Sequence, residues 1–273
     1  DKFELLFSVI ANTMPPGNNH KISNSDYLEI FSYILDKNNI KDANLTNIVD
    51  IPDEEEWVSF SDPSTIDRPE DRKSLFENKK LKNYTNLSID AVNYPDPNDW
   101  TSWRRSPLSH GFTPLTQINK KNINNLKLSW SLTMSEGSNQ GTPLVYDGVM
   151  FLTHPDNIIQ AINAKNGKLI WEYKYNYKKG SKTLGGPTRN IAIFQNKIFL
   201  ATYDAYLIAL DAVTGKLIWK TKKANYEDGY THTSGPIIAD GIVVSGINGC
   251  ERYIKDGCFI TGHDPETGKE IWR

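Results

Sequence analysis

The sequence predicts a mostly β fold made of repeated four-stranded units, which follow a short helical segment. A 13-residue pattern recurs without gaps, and every copy ends in Ile-Trp, at residues 159–171, 207–219 and 260–272. Successive final tryptophans are 48 and 53 residues apart. A β-rich repeat with a period of this length is typical of propeller blades.

A second pair of apolar runs precedes each copy of the pattern. These runs flank Asp-Gly or Asn-Lys and lie at residues 142–152, 189–200 and 235–245. Two hairpins per unit give four strands, which is one propeller blade. The alternative is that they are ordinary hairpins of a β-sandwich.

The residue types inside the repeat explain the turn and the recurring tryptophan. Asp211 can bind the backbone N–H groups ahead of it, as Asp and Asn do at turns. Gly167, Gly215 and Gly268 can adopt the positive φ of a hairpin with a G1-type bulge. A tryptophan at one offset in every copy predicts packing on the next blade, with its N–H on a backbone carbonyl.

Composition narrows the classes of function. The chain has 273 residues and a net charge of −2, which gives no support for nucleic acid as a partner. No apolar run approaches the roughly 20 residues of a membrane helix. The chain does not begin with Met, so we expect the true N-terminus to lie upstream. Cys250 and Cys258, eight positions apart, could form a disulfide or remain free thiols, and a zinc site is disfavoured.

The chain divides into three zones. Residues 1–40 are predicted to be helical, residues 41–98 to form a polar, irregular linker, and residues 99–273 to form the blades.

The third zone resembles the pyrroloquinoline-quinone (PQQ)-dependent alcohol dehydrogenases. The repeat Ala-x-Asp-x-x-Thr-Gly-Lys-x-x-Trp is similar to their tryptophan-docking motif. The preceding segment is similar to their lead-in, in Asp99-Trp100, Arg104-Arg105, Phe112–Leu115, Gln117–Asn119 and Asn125–Trp130. The resemblance implies a partial quinoprotein β-propeller, about three of eight blades, in a chain truncated at both ends.

Residues 1–40 resemble the C-terminal part of a class I cytochrome c domain. An amphipathic segment at Phe3–Thr13 is followed by Met14-Pro15 and by a second predicted helix with Ser23 or Ser25 as its cap. The resemblance implies that Met14 is an axial ligand of haem iron; otherwise it packs on the two helices. No Cys-x-x-Cys-His is present in the chain, so haem c attachment is expected elsewhere or lost.

The resemblance also implies a set of site residues. The family binds PQQ at the propeller centre beside Ca²⁺ or a lanthanide. Arg189 matches the arginine that contacts PQQ near its quinone oxygens, Thr233 and Ser234 match hydroxyls that bind a PQQ carboxylate, and Gln140 stands where many members have Glu. Read without the resemblance, Arg189 is a charge before an apolar strand and Thr233-Ser234 a turn that enters a strand.

The positions of the cysteines differ from those in many members of the family. Vicinal cysteines before the Arg are replaced by Thr183–Gly186. Gly249 and Cys250 match the loop that forms the PQQ floor, and members with this pattern imply a Cys250–Cys258 disulfide. Glu251 matches a metal-binding Glu, although two extra residues follow it and a surface carboxylate is the alternative. The catalytic Asp is expected beyond Arg273.

The expected function is therefore periplasmic oxidation of an alcohol or sugar hydroxyl, with electrons passing from PQQ to haem c. A cytochrome c or a quinone is the expected acceptor, and peripheral association with the membrane is a further expectation. We expect the isolated chain to be inactive, because its sheet edges are open. The alternative is a non-catalytic propeller scaffold of the outer-membrane assembly lipoprotein type.

Overall fold

The computed structural model describes residues 23–37, 78–177, 187–250 and 257–273. The chain forms two compact units. The first comprises residues 1–73 and 120–128, and the second comprises residues 74–119 and 129–273. No helix among the described residues has both the length and the apolar character needed to cross a membrane.

Among its described residues, the first unit contains helix α1 (Asn24–Lys37) and the 3₁₀ turn Ile123–Asn125. Ser23 begins α1 in the way predicted, because its hydroxyl accepts from the Asp26 N–H at 3.2 Å. The Asp26 carboxylate in turn accepts from the Ser23 N–H at 3.3 Å, which is the reciprocal pattern of a capping box. Phe31 is fully buried. The predicted helix before Met14, and Met14 itself, lie outside the described residues.

The second unit contains the three predicted blades, each a four-stranded antiparallel sheet whose strands follow chain order. Blade 1 comprises β1 (Leu144–Tyr146), β2 (Val149–His154), β3 (Ile158–Asn163) and β4 (Leu169–Lys174). Blade 2 comprises β5 (Ala192–Phe194), β6 (Lys197–Ala201), β7 (Tyr206–Asp211) and β8 (Leu217–Lys222). Blade 3 comprises β9 (Ile237–Ala239), β10 (Ile242–Ser245), β11 (Thr261–His263) and β12 (Glu270–Trp272). The prediction of a mostly β, partial propeller is confirmed.

The hairpin between the third and fourth strands has the predicted turn in every blade. Its glycines have φ of 67°, 70° and 72° at Gly167, Gly215 and Gly268, and the strand register shifts beside each turn. In blade 2, Asp211 Oδ1 accepts from both the N–H and the hydroxyl of Thr214 at 2.7 Å. The turn is therefore specified by local residues, as the repeat indicates.

Each tryptophan of the repeat that is followed by another unit docks on that unit. Trp171 Nε1 donates to Ala212 O at 2.9 Å, and Trp219 Nε1 donates to Pro265 O at 3.0 Å. The Trp171 ring lies against Gly215, where an added Cβ would come within 2.7 Å of the ring. Trp130 docks on blade 1 in the same way, with 3.0 Å to Ala164 O. The prediction that the tryptophans join neighbouring blades is confirmed.

Residues 78–100, named here the strap, bind two blades together. Backbone N–H groups of Lys79 and Leu81 donate to Ile170 O and Val213 O at 2.8 and 3.0 Å. Leu87 exchanges a pair of hydrogen bonds with Gln195, and Trp100 exchanges a pair with Val145. Between these points lies the short helix α2 (Ile89–Asn93), capped by Ser88. The strap has little regular structure, but its residues Leu81, Leu87 and Val92 are part of the blade core.

Candidate cofactor site

The site residues predicted from the sequence lie at one end of the blades. In each blade, the first strand begins at the end where the second and third strands are joined, and we call this end the site face. The strap crosses the opposite end, because Gln195 lies in the β5–β6 turn and Val213 in the β7–β8 turn. Residues that precede β1, β5 and β9 therefore share the site face.

Backbone hydrogen bonds join these three segments side by side. The Thr142 N–H donates to Arg189 O at 3.1 Å, and the Arg189 N–H donates to Thr233 O at 3.4 Å. The Arg189 guanidinium donates to the same Thr233 carbonyl at 3.3 Å. The fold thus brings Arg189 and Thr233 together, although 44 positions separate them in the sequence.

Arg189 has the properties of an anion-binding side chain. It is exposed at the site face, and no carboxylate pairs with it among the residues that the structure describes. A guanidinium that holds only one backbone carbonyl keeps further N–H donors for a ligand. Its charge also reaches the buried Tyr203 phenol, whose pKa is raised by burial and lowered in part by Arg189.

The loop Asn248–Cys250, named here the Cys loop, is hydrogen-bonded to the segment that carries Thr233. Asn248 Nδ2 donates to Thr233 Oγ1 at 3.3 Å, and the backbones of Asn248 and Thr231 exchange bonds of 3.1 and 2.9 Å. Gly249 has a φ of 104°, and a Cβ there would collide with Gly229 O. Only glycine therefore allows this approach of the loop to the segment that carries Thr233.

Cys250 and Cys258 form the disulfide that the resemblance implied, with their Cα atoms 5.0 Å apart. The bond joins the segment that follows β10 to the segment that leads into β11. Spacing alone left this pair open, and the structure settles it as a disulfide.

Of the remaining predicted site residues, two are exposed and the others lie outside the described residues. Ser234 is exposed beside Thr233. Gln140 is exposed and donates to Ser138 Oγ at 3.2 Å, and it makes no hydrogen bond to Arg189 or Thr233. Glu251 and the segment 183–186 lie outside the described residues. Among the described residues, no group of three or more His, Cys, Asp or Glu could hold a metal ion.

Sequence reasoning missed two buried basic residues beneath the site face. Lys223 is 4% exposed, and its ammonium donates to Ser245 O at 2.8 Å and Gly246 O at 2.7 Å. His232 is 1% exposed, its Nδ1–H donates to Thr202 O at 2.9 Å, and Nε2 has no partner in the described part of the chain. Burial, with the nearby charge of Lys223, lowers the pKa of His232 to about 3, so the ring is neutral. Neither residue has a motif around it that marks it as buried.

Lys223 gives the chain a testable dependence of stability on pH. Burial, and then the charge of Arg273, lower its pKa to about 7 from 10.5, while Glu270 acts in the opposite direction. Between these two pH values the unfolded chain binds a proton that the folded chain does not. The free energy of unfolding should therefore rise as the pH is raised from about 7 to about 10.5, and the cost of the buried charge is present in full below pH 7.

We expect Lys223→Met to remove this rise. Urea unfolding of the 273-residue chain and its variant at several pH values measures it. Lys220→Met, a change at an exposed lysine in β8, should keep the wild-type pH profile. Equal profiles for wild type and Lys223→Met would show that the Lys223 ammonium is not desolvated.

The donors at the site face suit an anionic ligand with several oxygens. They are the Arg189 guanidinium, the hydroxyls of Thr233 and Ser234 and the Gln140 amide, and no described carboxylate neutralises the arginine. A quinone that carries three carboxylates needs such donors. The residues present therefore fit one side of a PQQ site.

Comparison with known proteins supports the family that the repeat resembles. The family model for the β-propeller domain of PQQ glucose/ethanol/alcohol dehydrogenases matches residues 100–273. Quinohemoprotein alcohol dehydrogenase ADH-IIG of Pseudomonas putida is 33% identical over 184 residues, which are 65% of this chain and 25% of that protein. The dehydrogenase subunit of a quinone alcohol dehydrogenase from Komagataeibacter europaeus is 37% identical over 187 residues, with the same coverage.

Solved structures agree with this assignment. A europium-containing methanol dehydrogenase aligns with a TM-score of 0.61 and 28% identity, over 67% of this chain and 33% of that one. The chain spans about a quarter of the length of the two curated relatives. The family match covers more than half of the chain and includes all three blades. The chain therefore belongs to the family of PQQ-dependent glucose, ethanol and alcohol dehydrogenases, whose β-propeller domain it shares.

Proposed function

We propose that this chain supplies one side of the PQQ site in an alcohol-oxidising dehydrogenase. The observation that carries the proposal is Arg189, an exposed arginine without a described carboxylate partner, fixed beside Thr233 at the site face of a PQQ-family propeller. The relatives are named as alcohol dehydrogenases, which supports alcohols as the substrate class, and sugars remain a second class to test.

Each residue of the site has a distinct task in this proposal. Arg189 binds an oxygen of the cofactor through a charge-assisted hydrogen bond. Thr233 and Ser234 donate hydroxyl hydrogen bonds to a carboxylate, and Gln140 orients an oxygen as a neutral donor. Gly249 and Cys250 form a rigid edge, because the disulfide and the bonds of Asn248 restrain the loop. PQQ would supply the two-electron oxidation, and an adjacent Ca²⁺ or lanthanide ion would supply Lewis acidity.

The metal and electron-transfer parts of the proposal rest on separate observations. Glu251 is the proposed metal ligand, and the lanthanide option is supported by one structural relative, the europium-containing methanol dehydrogenase. Met14 is the proposed axial ligand of a haem c that receives electrons from PQQ. This role is supported by helix α1, which follows the Met-Pro pair in the sequence. A periplasmic location, a cytochrome c or quinone acceptor and peripheral membrane association complete the proposal.

The decisive experiment is reconstitution of the complete gene product that carries this chain. The protein is freed of cofactor, then mixed with PQQ and either Ca²⁺ or La³⁺, and dye reduction is followed over a panel of alcohols and sugars. We expect alcohol-dependent reduction that requires PQQ and one of the ions. Absence of dye reduction under every combination, together with absence of PQQ binding, would contradict the proposal and favour the non-catalytic scaffold.

A further inference from the structure

Asn157 is a buried polar residue that the sequence did not mark. It lies in the 3₁₀ turn Pro155–Asn157, which joins β2 to β3 at the site face of blade 1. It is fully buried and has a φ of 56°, directly after Asp156 with a φ of 63°. Two consecutive left-handed residues are unfavourable for most side chains, and Asn and Asp tolerate them best.

The amide of Asn157 joins this turn to blade 2 at two points. Its Nδ2 donates to Thr188 Oγ1 at 2.9 Å, and its Oδ1 accepts from the Tyr203 N–H at 2.8 Å. Thr188 is buried, and its carbonyl also accepts from Thr153 Oγ1 at 2.9 Å. Blade 1 thus holds Thr188 by both its backbone and its side chain, and Thr188 is the residue before Arg189.

Asn190, the other neighbour of Arg189, is anchored by its side chain. Its Oδ1 accepts from the Gly235 N–H at 2.8 Å, and its Nδ2 donates to Pro236 O at 3.3 Å. Arg189 is exposed between these two anchored residues. Its own side chain makes a single long bond, to Thr233 O. The main chain from which the guanidinium extends is therefore held in place by the two neighbours of Arg189.

We infer that Asn157 is a positioning residue for PQQ, which acts by fixing Thr188 and thereby the exposed Arg189. The inference rests on the proposed function, because it assigns Asn157 a role in the same site. A cation that is held in place before the ligand arrives loses less conformational freedom on binding. Without the amide, Thr188 keeps the bond from Thr153 to its carbonyl and the longer bond, 3.4 Å, from its hydroxyl to Tyr203 Oη. It loses its side-chain bond to blade 1, and Arg189 samples more positions.

The test is a double-mutant cycle between Asn157 and Arg189 in the complete gene product. Asn157→Gly removes the amide and keeps the left-handed backbone free of strain. The Kd for PQQ, measured by equilibrium titration in the presence of Ca²⁺, should rise about tenfold. In an Arg189→Gln background the same substitution should change the Kd less than about twofold, since the residue through which it acts is gone.

Asn83→Gly is the matched control. Asn83 is exposed and has a φ of 59°, so the substitution makes the same backbone change away from the site face. Its Kd for PQQ should equal that of the wild type. A merely structural role for Asn157 would lower affinity in both the wild-type and the Arg189→Gln backgrounds by the same factor.

A second pair of variants keeps the inference open to test if Asn157→Gly does not fold. Thr188→Val removes the hydroxyl that accepts from Asn157 and donates a longer bond to Tyr203 Oη, and it should weaken PQQ binding. Thr188→Ser keeps the hydroxyl and should bind as wild type does. If Thr188→Val or Asn157→Gly binds PQQ with the wild-type Kd, the inference is wrong and the proposed function still stands. Absence of PQQ binding by the wild-type protein would overturn the proposed function, and this inference with it.

Discussion

Replacing Trp171 with alanine is expected to lower the free energy of unfolding by about 3 to 5 kcal/mol. Trp171 is fully buried, donates to Ala212 O at 2.9 Å and lies against Phe151 with ring centroids 5.9 Å apart. Its removal leaves a cavity between blades 1 and 2 and an unpartnered buried carbonyl, and both costs add. Urea unfolding of the 273-residue chain, followed by circular dichroism, measures the change.

Trp272 is the matched control, because it occupies the same offset in the third copy of the repeat. It is 41% exposed, and no hydrogen bond from its indole N–H is formed within the described residues. Trp272→Ala should lower the free energy of unfolding of the same chain by less than about 1 kcal/mol. Equal losses for the two variants would show that docking between blades does not stabilise this chain.

Replacing Arg189 with glutamine is expected to weaken PQQ binding about 100-fold. A charge-assisted hydrogen bond contributes roughly 1.5 to 3 kcal/mol, and the guanidinium has several free donors to offer. Because Arg189 is exposed and lacks a described acidic partner, the substitution should leave the thermal midpoint nearly unchanged. Equilibrium titration of the complete gene product with PQQ measures the affinity.

Lys216→Gln controls for the lost charge in this experiment. Lys216 lies in the β7–β8 turn of the same blade, at the end opposite to Arg189, and its substitution should leave the PQQ affinity within about twofold of wild type. Similar losses for the two variants would mean that net charge, rather than the position of Arg189, attracts the cofactor.

The blades were predictable because their determinants lie close together in the sequence. Gly215 supplies the turn, Asp211 caps it, and Trp171 marks the contact between successive units. Each of these features is repeated at a fixed offset, so the sequence itself shows that they belong together. Arg189 and Thr233 were identified by the family resemblance instead, and the structure places them side by side, ahead of β5 and β9.

The residues beneath the site were not predictable in this way. Asn157 and Thr188 are 31 positions apart, and Lys223 and Ser245 are 22 apart. Neither pair recurs in the described parts of the other units, and Asn or Lys beside a strand usually indicates a turn or a solvated surface. The strap falls almost wholly within the segment predicted to be a linker, since its buried leucines show no strand or helix period. Their placement depends on two separate turns of blade 2, at Val213 and Gln195.

The Cys pair shows what the resemblance added to the residues alone. A spacing of eight permitted either thiols or a disulfide, the family pattern favoured the disulfide, and the structure contains it. Met14 and Glu251 lie outside the described residues, and their roles stay predictions.

A crystal structure of the complete gene product with bound PQQ is the most direct test of the central claim. We expect the Arg189 guanidinium to lie about 3 Å from an oxygen of the cofactor, with the Thr233 hydroxyl on a carboxylate and the Gly249-Cys250 loop alongside. PQQ bound away from the site face, or with Arg189 turned from it, would contradict the account.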